Sequence, residues 1–357
     1  EIDAIKEDNV EIAADCAAWP CDCGDTLTAS VTMTGNLEGC GLLDGDFGLK
    51  IGANDVTLDC ATYEIGAKAQ GNIPGIYNHN YTGFTMKNCV INGFRTESVL
   101  INNASGIKIL NSTFTNDSNQ GNPTILIANS EYGVIDNVTI VNNTRDSNSN
   151  DGITFDNSSH FNITNSLFKN ISVGYPINFN AGSNATHLRI INNRFENLSS
   201  STASKKLPIN YESTSNVRVA SHHTIANNTF NITYDFEIDF VNDSIFINNT
   251  FYTKLSITGE NLTFYNNDLT TRGLSADSIN NSNISSNRIR MLFDIKAVRE
   301  SIFEKNIIND TPVIIPAGSQ NLTLRSNTIN NPNSTSKAGI DAISTNNITI
   351  DNNTIVL

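Results

Sequence analysis

The sequence predicts an all-β parallel β-helix, a solenoid of about 12–13 coils, behind a disulfide-rich N-terminal cap. Three observations carry this. A short unit, apolar-x-x-Asn-x-apolar, recurs along most of the chain. Its copies start 18 to 28 residues apart, with one longer gap between Ile190 and Ile225, which fits one solenoid coil per copy. A second apolar, alternating segment recurs between the copies.

The unit reads MKNCVI at Met86, ILNSTF at Ile109, IDNVTI at Ile135, ITNSLF at Ile163, IINNRF at Ile190 and IANNTF at Ile225. It continues as FINNTF at Phe246, FYNNDL at Phe264, ISSNRI at Ile284, FEKNII at Phe303, LRSNTI at Leu324 and IDNNTI at Ile350. LDCATY at Leu58 is a degenerate first copy. Leucine-rich repeats share the period but need L-x-x-L-x-L, which is absent. Helical repeats need a 3.6-residue apolar period and strong helix formers, whereas Asn, Thr, Ser, Val and Ile dominate here.

The two apolar positions lie five apart, so a straight strand would point them to opposite faces. For both to enter one core the backbone must bend between them. Asparagine tolerates the left-handed conformation that such a bend needs, and its amide can stack on the asparagine one coil below. These asparagines therefore read as structural.

The second segment reads GITFDNSS at Gly152, YPINFNAGS at Tyr175, LPINYESTS at Leu207 and TPVIIPAGS at Thr311, each an apolar alternation followed by a polar turn. Coils stacked at about 4.8 Å would make a rod of roughly 60 Å. The expected organisation is a capping or subunit-linking segment at 1–15, a Cys-rich cap with the first coils at 16–60, and the β-helix at 61–357.

Composition sets the compartment. Six cysteines, Cys16, Cys21, Cys23, Cys40, Cys60 and Cys89, all lie in the first quarter, which reads as a disulfide-stapled end with its connectivity open. Cys21-Asp-Cys23 lacks zinc-knuckle spacing and no histidine falls between Cys16 and Cys60, so a metal site is the weaker reading. The net charge is −14 with only 22 Lys and Arg, which excludes nucleic acid as a partner. No apolar run approaches the roughly 20 residues of a membrane span. No signal peptide heads the chain, so a secreted protein would be represented in its mature form.

Asparagines opening N-x-[ST] sequons stand at Asn80, Asn103, Asn111, Asn116, Asn137, Asn142, Asn157, Asn162, Asn170, Asn184, Asn197 and Asn227. Others are Asn231, Asn242, Asn248, Asn261, Asn280, Asn283, Asn309, Asn321, Asn333, Asn347 and Asn352. With the cysteines they predict an extracellular or cell-surface protein carrying covalent N-glycans. Asn116, Asn142, Asn170 and Asn197 share one offset in four consecutive coils, about 4.8 Å apart, closer than branched glycans allow. Partial or alternating occupancy follows.

CDCGDTLTASVTMTGNL, GLKIGANDVTLDC and PGIYNHNYTGFTMKNCVINGF resemble the opening of right-handed parallel β-helix surface proteins of archaea and bacteria, which include the NosD-like periplasmic copper-handling family. The resemblance runs from Cys21 onward. It implies a single-stranded, right-handed β-helix; the copper role does not carry over, since His and Met are sparse.

Enzymes of this fold need clustered carboxylates with basic groups on one strand face. The outward residues of the second segment read Thr154, Asn178, Asn210, Asp239, Ser256, Ser275, Asp294, Ile314 and Asp341, which leaves the aspartates about 10 Å or more apart. Asp235, Glu237 and Asp239 alternate along one face and offer either a Ca2+ site or a solvated acidic surface. His222 and His223 read as a surface pair with no carboxylate beside them in sequence. Arg288-Ile-Arg290 echoes the R-I-K of pectin hydrolases without that family's other elements, and Trp19 is the one tryptophan. No catalytic, cofactor or metal residue is assigned.

The given sequence ends on a full copy of the unit, so Ile350, Ile355 and Leu357 need cover from further chain or from another subunit. Ile2, Ile5, Val10 and Ile12 form either an amphipathic cap or a strand donated to a neighbour. The function expected is a structural glycoprotein that stacks end to end on copies of itself in a surface filament or layer. The alternative is a β-helix polysaccharide lyase or hydrolase, or a glycan-binding adhesin. The loops at 116–123 and 199–206 are candidate recognition loops.

Overall fold

A computed structural model shows a parallel β-solenoid with no helix among the described residues. These are 15–41, 47–67, 73–115, 122–142, 151–171, 174–180, 185–198, 209–211, 220–232, 234–315, 317–331, 339–343 and 345–356.

Two sheets of fourteen strands run the length of the described chain. One holds the first half of the unit and the other the second. Met86, Ile109, Ile135, Ile163 and Ile190 pair coil to coil, and the register continues unbroken to Ile350. The partner column runs Ile91, Phe114, Ile140, Phe168, Phe195, Phe230, Phe251, Leu269, Ile289, Ile308, Ile329, Ile355. Both columns face one continuous core, in which Phe168, Phe195, Phe230 and Phe251 stack ring on ring at 5.0, 4.8 and 4.9 Å.

The bend works as expected but divides its labour between two positions. The third residue of the unit takes the left-handed backbone: Asn88, Asn111, Asn137, Asn165, Asn192, Asn227, Asn248, Asn266 and Asn352 all have φ between 47° and 59°. Their amides link coils on the surface, as in Asn137 Nδ2 donating to Asn111 Oδ1 at 3.0 Å. The fourth residue turns inward. Asn193, Asn228, Asn249, Asn267, Asn287, Asn306 and Asn327 are buried, at 2% exposure or less, and form a second ladder. Asn287 is typical: Nδ2 donates to Phe264 O and Asn306 Oδ1, while Oδ1 accepts the backbone N–H and Nδ2 of Asn267. Each amide thus satisfies backbone groups that the sharp turn leaves outside the strand ladders.

The second segment does not form one column. Ile153–Asp156, Ile177–Phe179 and Ile209–Tyr211 belong to a nine-stranded sheet, which ends there. A separate seven-stranded sheet takes over with Phe236–Asn242, Leu255–Glu260 and Leu274–Asn280. In it Glu237, not Asp239, aligns with Ser256, Ser275, Asp294, Ile314 and Asp341. The change follows coil length: the copies from Ile225 to Leu324 start only 18 to 21 residues apart, so the second segment runs directly into the next copy.

The Cys-rich region is part of the same solenoid, since Asp15–Cys16 pairs with Thr26–Leu27, and Thr26–Leu27 with Lys50–Ile51. The disulfides are Cys16–Cys21, Cys23–Cys40 and Cys60–Cys89. The last joins consecutive coils beneath the first full bend.

Candidate functional site: an axial groove with a tyrosine–histidine ladder

A corner precedes each copy of the unit, and its geometry repeats. The residue three places before the first apolar position has positive φ in every copy: Asp55, Gly83, Gly106, Tyr132, His160, His187, His222, Asp243, Asn261, Asn281, Glu300, Asn321 and Asn347. The left-handed backbone throws each side chain outward at the same height of its coil. In the first four coils that reach this far, a second left-handed position lies three residues earlier, at Asn80, Asn103, Asn129 and Asn157. Between the two rows the backbone dips and leaves an open groove of about 600 Å3, lined by Thr82, Asn103, Ser105, Asn129, Glu131, Asn157, Ser159 and Thr186.

The groove runs along the solenoid axis. Thr82, Ser105, Glu131, Ser159 and Thr186 form its floor over four coil steps, about 19 Å at 4.8 Å per step. One wall is an amide ladder, in which Asn103 Nδ2 donates to Asn80 Oδ1 at 2.6 Å and Asn157 Nδ2 to Asn129 Oδ1 at 3.0 Å. Beside the groove, outside its lining residues, runs an aromatic row. Tyr132 packs tilted against His160 (4.8 Å, 31° between planes), while His160 stacks on His187 (4.6 Å, 4°) and His187 on His222 (4.8 Å, 7°). On the side away from His160 the next two positions of the column are Gly106 and Gly83, with Asp55 beyond them, so one face of Tyr132, 57% exposed, meets no side chain of the adjacent coil's column position. Partial desolvation, and after it His160 and His222 on either side, holds the His187 imidazole below its ordinary value.

His222 and His223, read as one surface pair, part company. His222 joins the outer ladder. His223 is fully buried, stacks on Phe179 at 5.6 Å, and its Nδ1 accepts the Leu188 N–H at 3.2 Å. Burial, and secondarily His187 and His222, pushes this imidazole down to about 3. The folded state thus refuses a proton that the unfolded chain takes up below about pH 6.5. Stability is complete above pH 6.5 and falls as pH drops toward 3, by about 2 kcal/mol between pH 7 and pH 5. Urea midpoints at the two pH values should show this loss, and His223→Ser should flatten it; an equal slope in the variant would refute the assignment.

The other sequence candidates lie elsewhere. Thr154 and Asn178, expected on an outward face, are buried. Both donate to Asp151 Oδ2, at 3.0 and 2.8 Å, while Asp151 Oδ1 accepts the Tyr175 N–H. The carboxylate is an internal anchor. Asp235 pairs with Arg272 at 3.5 Å; the side chain of Asp239 lies outside the described residues. Arg288 and Arg290 lie on one outward-facing strand with Ile289 in the core, far along the solenoid from the groove. Cys16, Cys21 and Asp25 come together, but both sulfurs are in the disulfide.

Among the sequons, Asn142, Asn170 and Asn197 share one offset as expected, all at positive φ, with Asn170 Nδ2 donating to Asn142 Oδ1 at 2.9 Å. Asn242 is buried and its Oδ1 accepts the Glu260 N–H. Asn116, Asn184, Asn333, Ile2, Ile5, Val10, Ile12 and Leu357 lie outside the described residues, as does most of the two candidate recognition loops. Ile350 and Ile355 hold their core columns and are 50% and 43% exposed in the last coil.

Sequence reasoning missed the groove and the outer ladder. The signal was present: Tyr132, His160, His187 and His222 each stand three residues before a copy of the unit.

No protein-family model matches the chain, and no curated protein matches it by sequence. Solved structures do. A family 28 exopolygalacturonase of Yersinia enterocolitica is 13% identical with a TM-score of 0.50, covering 93% of this chain and 74% of its own. The Streptococcus pneumoniae surface protein and adhesin PfbA is 12% identical with a TM-score of 0.41, covering 93% and 90%. A tailspike protein of E. coli bacteriophage HK620, solved with a pentasaccharide, is 11% identical with a TM-score of 0.48, covering 91% and 69%. The likeness to the polygalacturonase shows the shared β-helix fold, and at such identity the fold alone. Within the described residues no helix is long and apolar enough to cross a membrane.

Proposed function

We propose that the chain is an extracellular glycan-binding β-solenoid of adhesin type, and that it binds without catalysing. The observation that carries this reading is the axial groove. Its floor and one wall present hydroxyl, amide and carboxylate groups at one-coil intervals. Next to the floor residue Glu131 stands one exposed aromatic side chain, Tyr132, packed on His160. A polar row with a single flat platform suits a chain of sugar rings, whose edges are hydroxylated and whose faces are apolar. The three disulfides fit an oxidising compartment. A non-catalytic role is favoured by the acids of the seven-stranded sheet: Glu237 and Asp294 stand three coils apart, about 14 Å, with serines between.

A glycan array probed with the purified chain is expected to give a defined set of oligosaccharides. Tyr132→Ala should weaken them about tenfold, in line with loss of one stacking contact worth about 1.5 kcal/mol. Gly106→Asn keeps a residue type that the column tolerates at positive φ and fills the notch, so it should weaken binding with little change in stability. Wild-type affinity in both variants, or release of new reducing ends from a bound polymer, would defeat the proposal.

The end-to-end filament subunit rests on the half-exposed Ile350, Ile355 and Val356 alone. Further chain would cover that layer as well as a second copy would, so the groove is the better-supported basis for function.

A further inference from the structure

We propose that the outer histidine ladder is a surface site for a borderline divalent transition-metal ion, held by two successive imidazoles and shared about His187. The inference is independent of the glycan-binding reading, since it concerns the ring edges and not the open face of Tyr132.

The fold brings together three histidines that are 27 and 35 residues apart in sequence, His160, His187 and His222. Their rings are parallel within 4° and 7°, at 4.6 and 4.8 Å, with the edges toward solvent. His187 and His222 are exposed and His160 half-buried. Each ring stands on a residue of positive φ, so the left-handed backbone fixes where the side chain leaves the corner. His160 Nδ1 lies 3.0 Å from Ser159 Oγ and His222 Nδ1 lies 2.9 Å from Ser221 Oγ. With Nδ1–H donated to the serine oxygen, Nε2 presents its lone pair outward. A metal-binding histidine commonly has this support, one ring nitrogen on an oxygen acceptor and the other on the ion.

The spacing suits a pair. Metal–nitrogen bonds of about 2.0–2.1 Å put two nitrogens on one tetrahedral ion about 3.4 Å apart, with both lone pairs converging on it. Rings stacked at 4.6 and 4.8 Å reach that arrangement when two neighbouring edges swing toward each other by about 1 Å and the planes open from parallel. All three rings cannot reach a single ion, because His160 and His222 are two coils apart; water would complete the coordination. The electrostatics favour a cation. Glu131 lies beside Tyr132 at one end of the ladder and Asp243 follows His222 at the other, in a protein of net charge −14; Arg189, two residues beyond His187, is the opposing charge nearby in sequence. Imidazole pairs suit Zn2+ and Ni2+, whereas Ca2+ and Mg2+ require oxygen.

The test is calorimetric titration of the full, chelator-dialysed chain with ZnCl2 at pH 7.5. One ion per chain is expected, with micromolar affinity. His187→Phe keeps a flat ring in the stack and removes the nitrogen common to both pairs, so affinity should fall at least tenfold. His160→Phe and His222→Phe each leave one intact pair and should change affinity less than threefold. CaCl2 should give no heat. An isotherm in His187→Phe equal to wild type, or no Zn2+ binding in the wild type, overturns the proposal. If His187→Phe does not fold, imidazole nitrogen NMR of the wild type decides: Zn2+ should shift the ladder histidines and leave buried His223 unmoved. A shift confined to His79 would place the ion elsewhere and equally overturn it.

Discussion

Replacing Asn287 by alanine is expected to destabilise the protein by about 3–5 kcal/mol, because several buried groups lose partners together. Asn287 is 1% exposed and makes contacts in both directions along the axis. Removing its amide takes the acceptor from the Asn267 backbone N–H at 2.8 Å and from Asn267 Nδ2 at 3.1 Å. It also removes the donor to Phe264 O at 2.9 Å. A buried donor or acceptor left without a partner costs about 1–3 kcal/mol, and neither side of the lesion opens to water. Asn287→Ser should cost about half as much, because a hydroxyl keeps the acceptor. The column shows this itself: Ser112 Oγ accepts the Cys89 N–H and Ser166 Oγ the Val138 N–H. Chemical denaturation of the two variants beside wild type measures the difference. Equal and small losses for both would mean that the inner amide ladder is not what holds the bend.

Phe230→Ala should cost a similar amount, about 4–5 kcal/mol, by a different mechanism. Phe230 is fully buried and touches three other rings: Phe195 at 4.8 Å, Phe251 at 4.9 Å and Phe236 at 5.0 Å. Truncating a buried phenylalanine costs about 3–5 kcal/mol, and each stacked pair adds about 0.5–1.5 kcal/mol beyond its area. The cavity would sit within a rigid stack of coils, whose spacing is set by strand pairing, so the walls have little freedom to collapse. Phe230→Leu restores much of the volume, and leucine already serves in this column at Leu269. Its loss should stay near 1–2 kcal/mol. Because each coil contacts chiefly its neighbours, hydrogen exchange should show the damage concentrated at residues 189–196 and 245–251. Uniform loss of protection over the whole chain would contradict that picture.

Much of this architecture was written in the local pattern. The unit states which residues face inward, and its asparagines state where the chain bends, because both follow from side-chain polarity and from the ease with which Asn adopts a left-handed backbone. The core columns from Met86 to Ile355 were therefore readable by eye. What the pattern did not separate was the two asparagine roles. In IINNRF the third residue bends the chain and the fourth satisfies it from within, yet both are the same residue type side by side. Nor did it reveal the break between Asn210 and Glu237, since strands of the two shorter sheets carry the same alternation.

The sequence by itself determined the solenoid, its apolar columns, its bends and its stapled, sequon-rich character, because each depends on residues within a few positions of one another. Only the tertiary structure decided which disulfides form, that Thr154 and Asn178 are buried, and that Tyr132, His160, His187 and His222 share one ladder beside one groove. Those relations join residues one coil apart, and the number of residues per coil varies with its loops. The pairing register removes that variation, setting side chains 27 or 35 residues apart within 5 Å of each other.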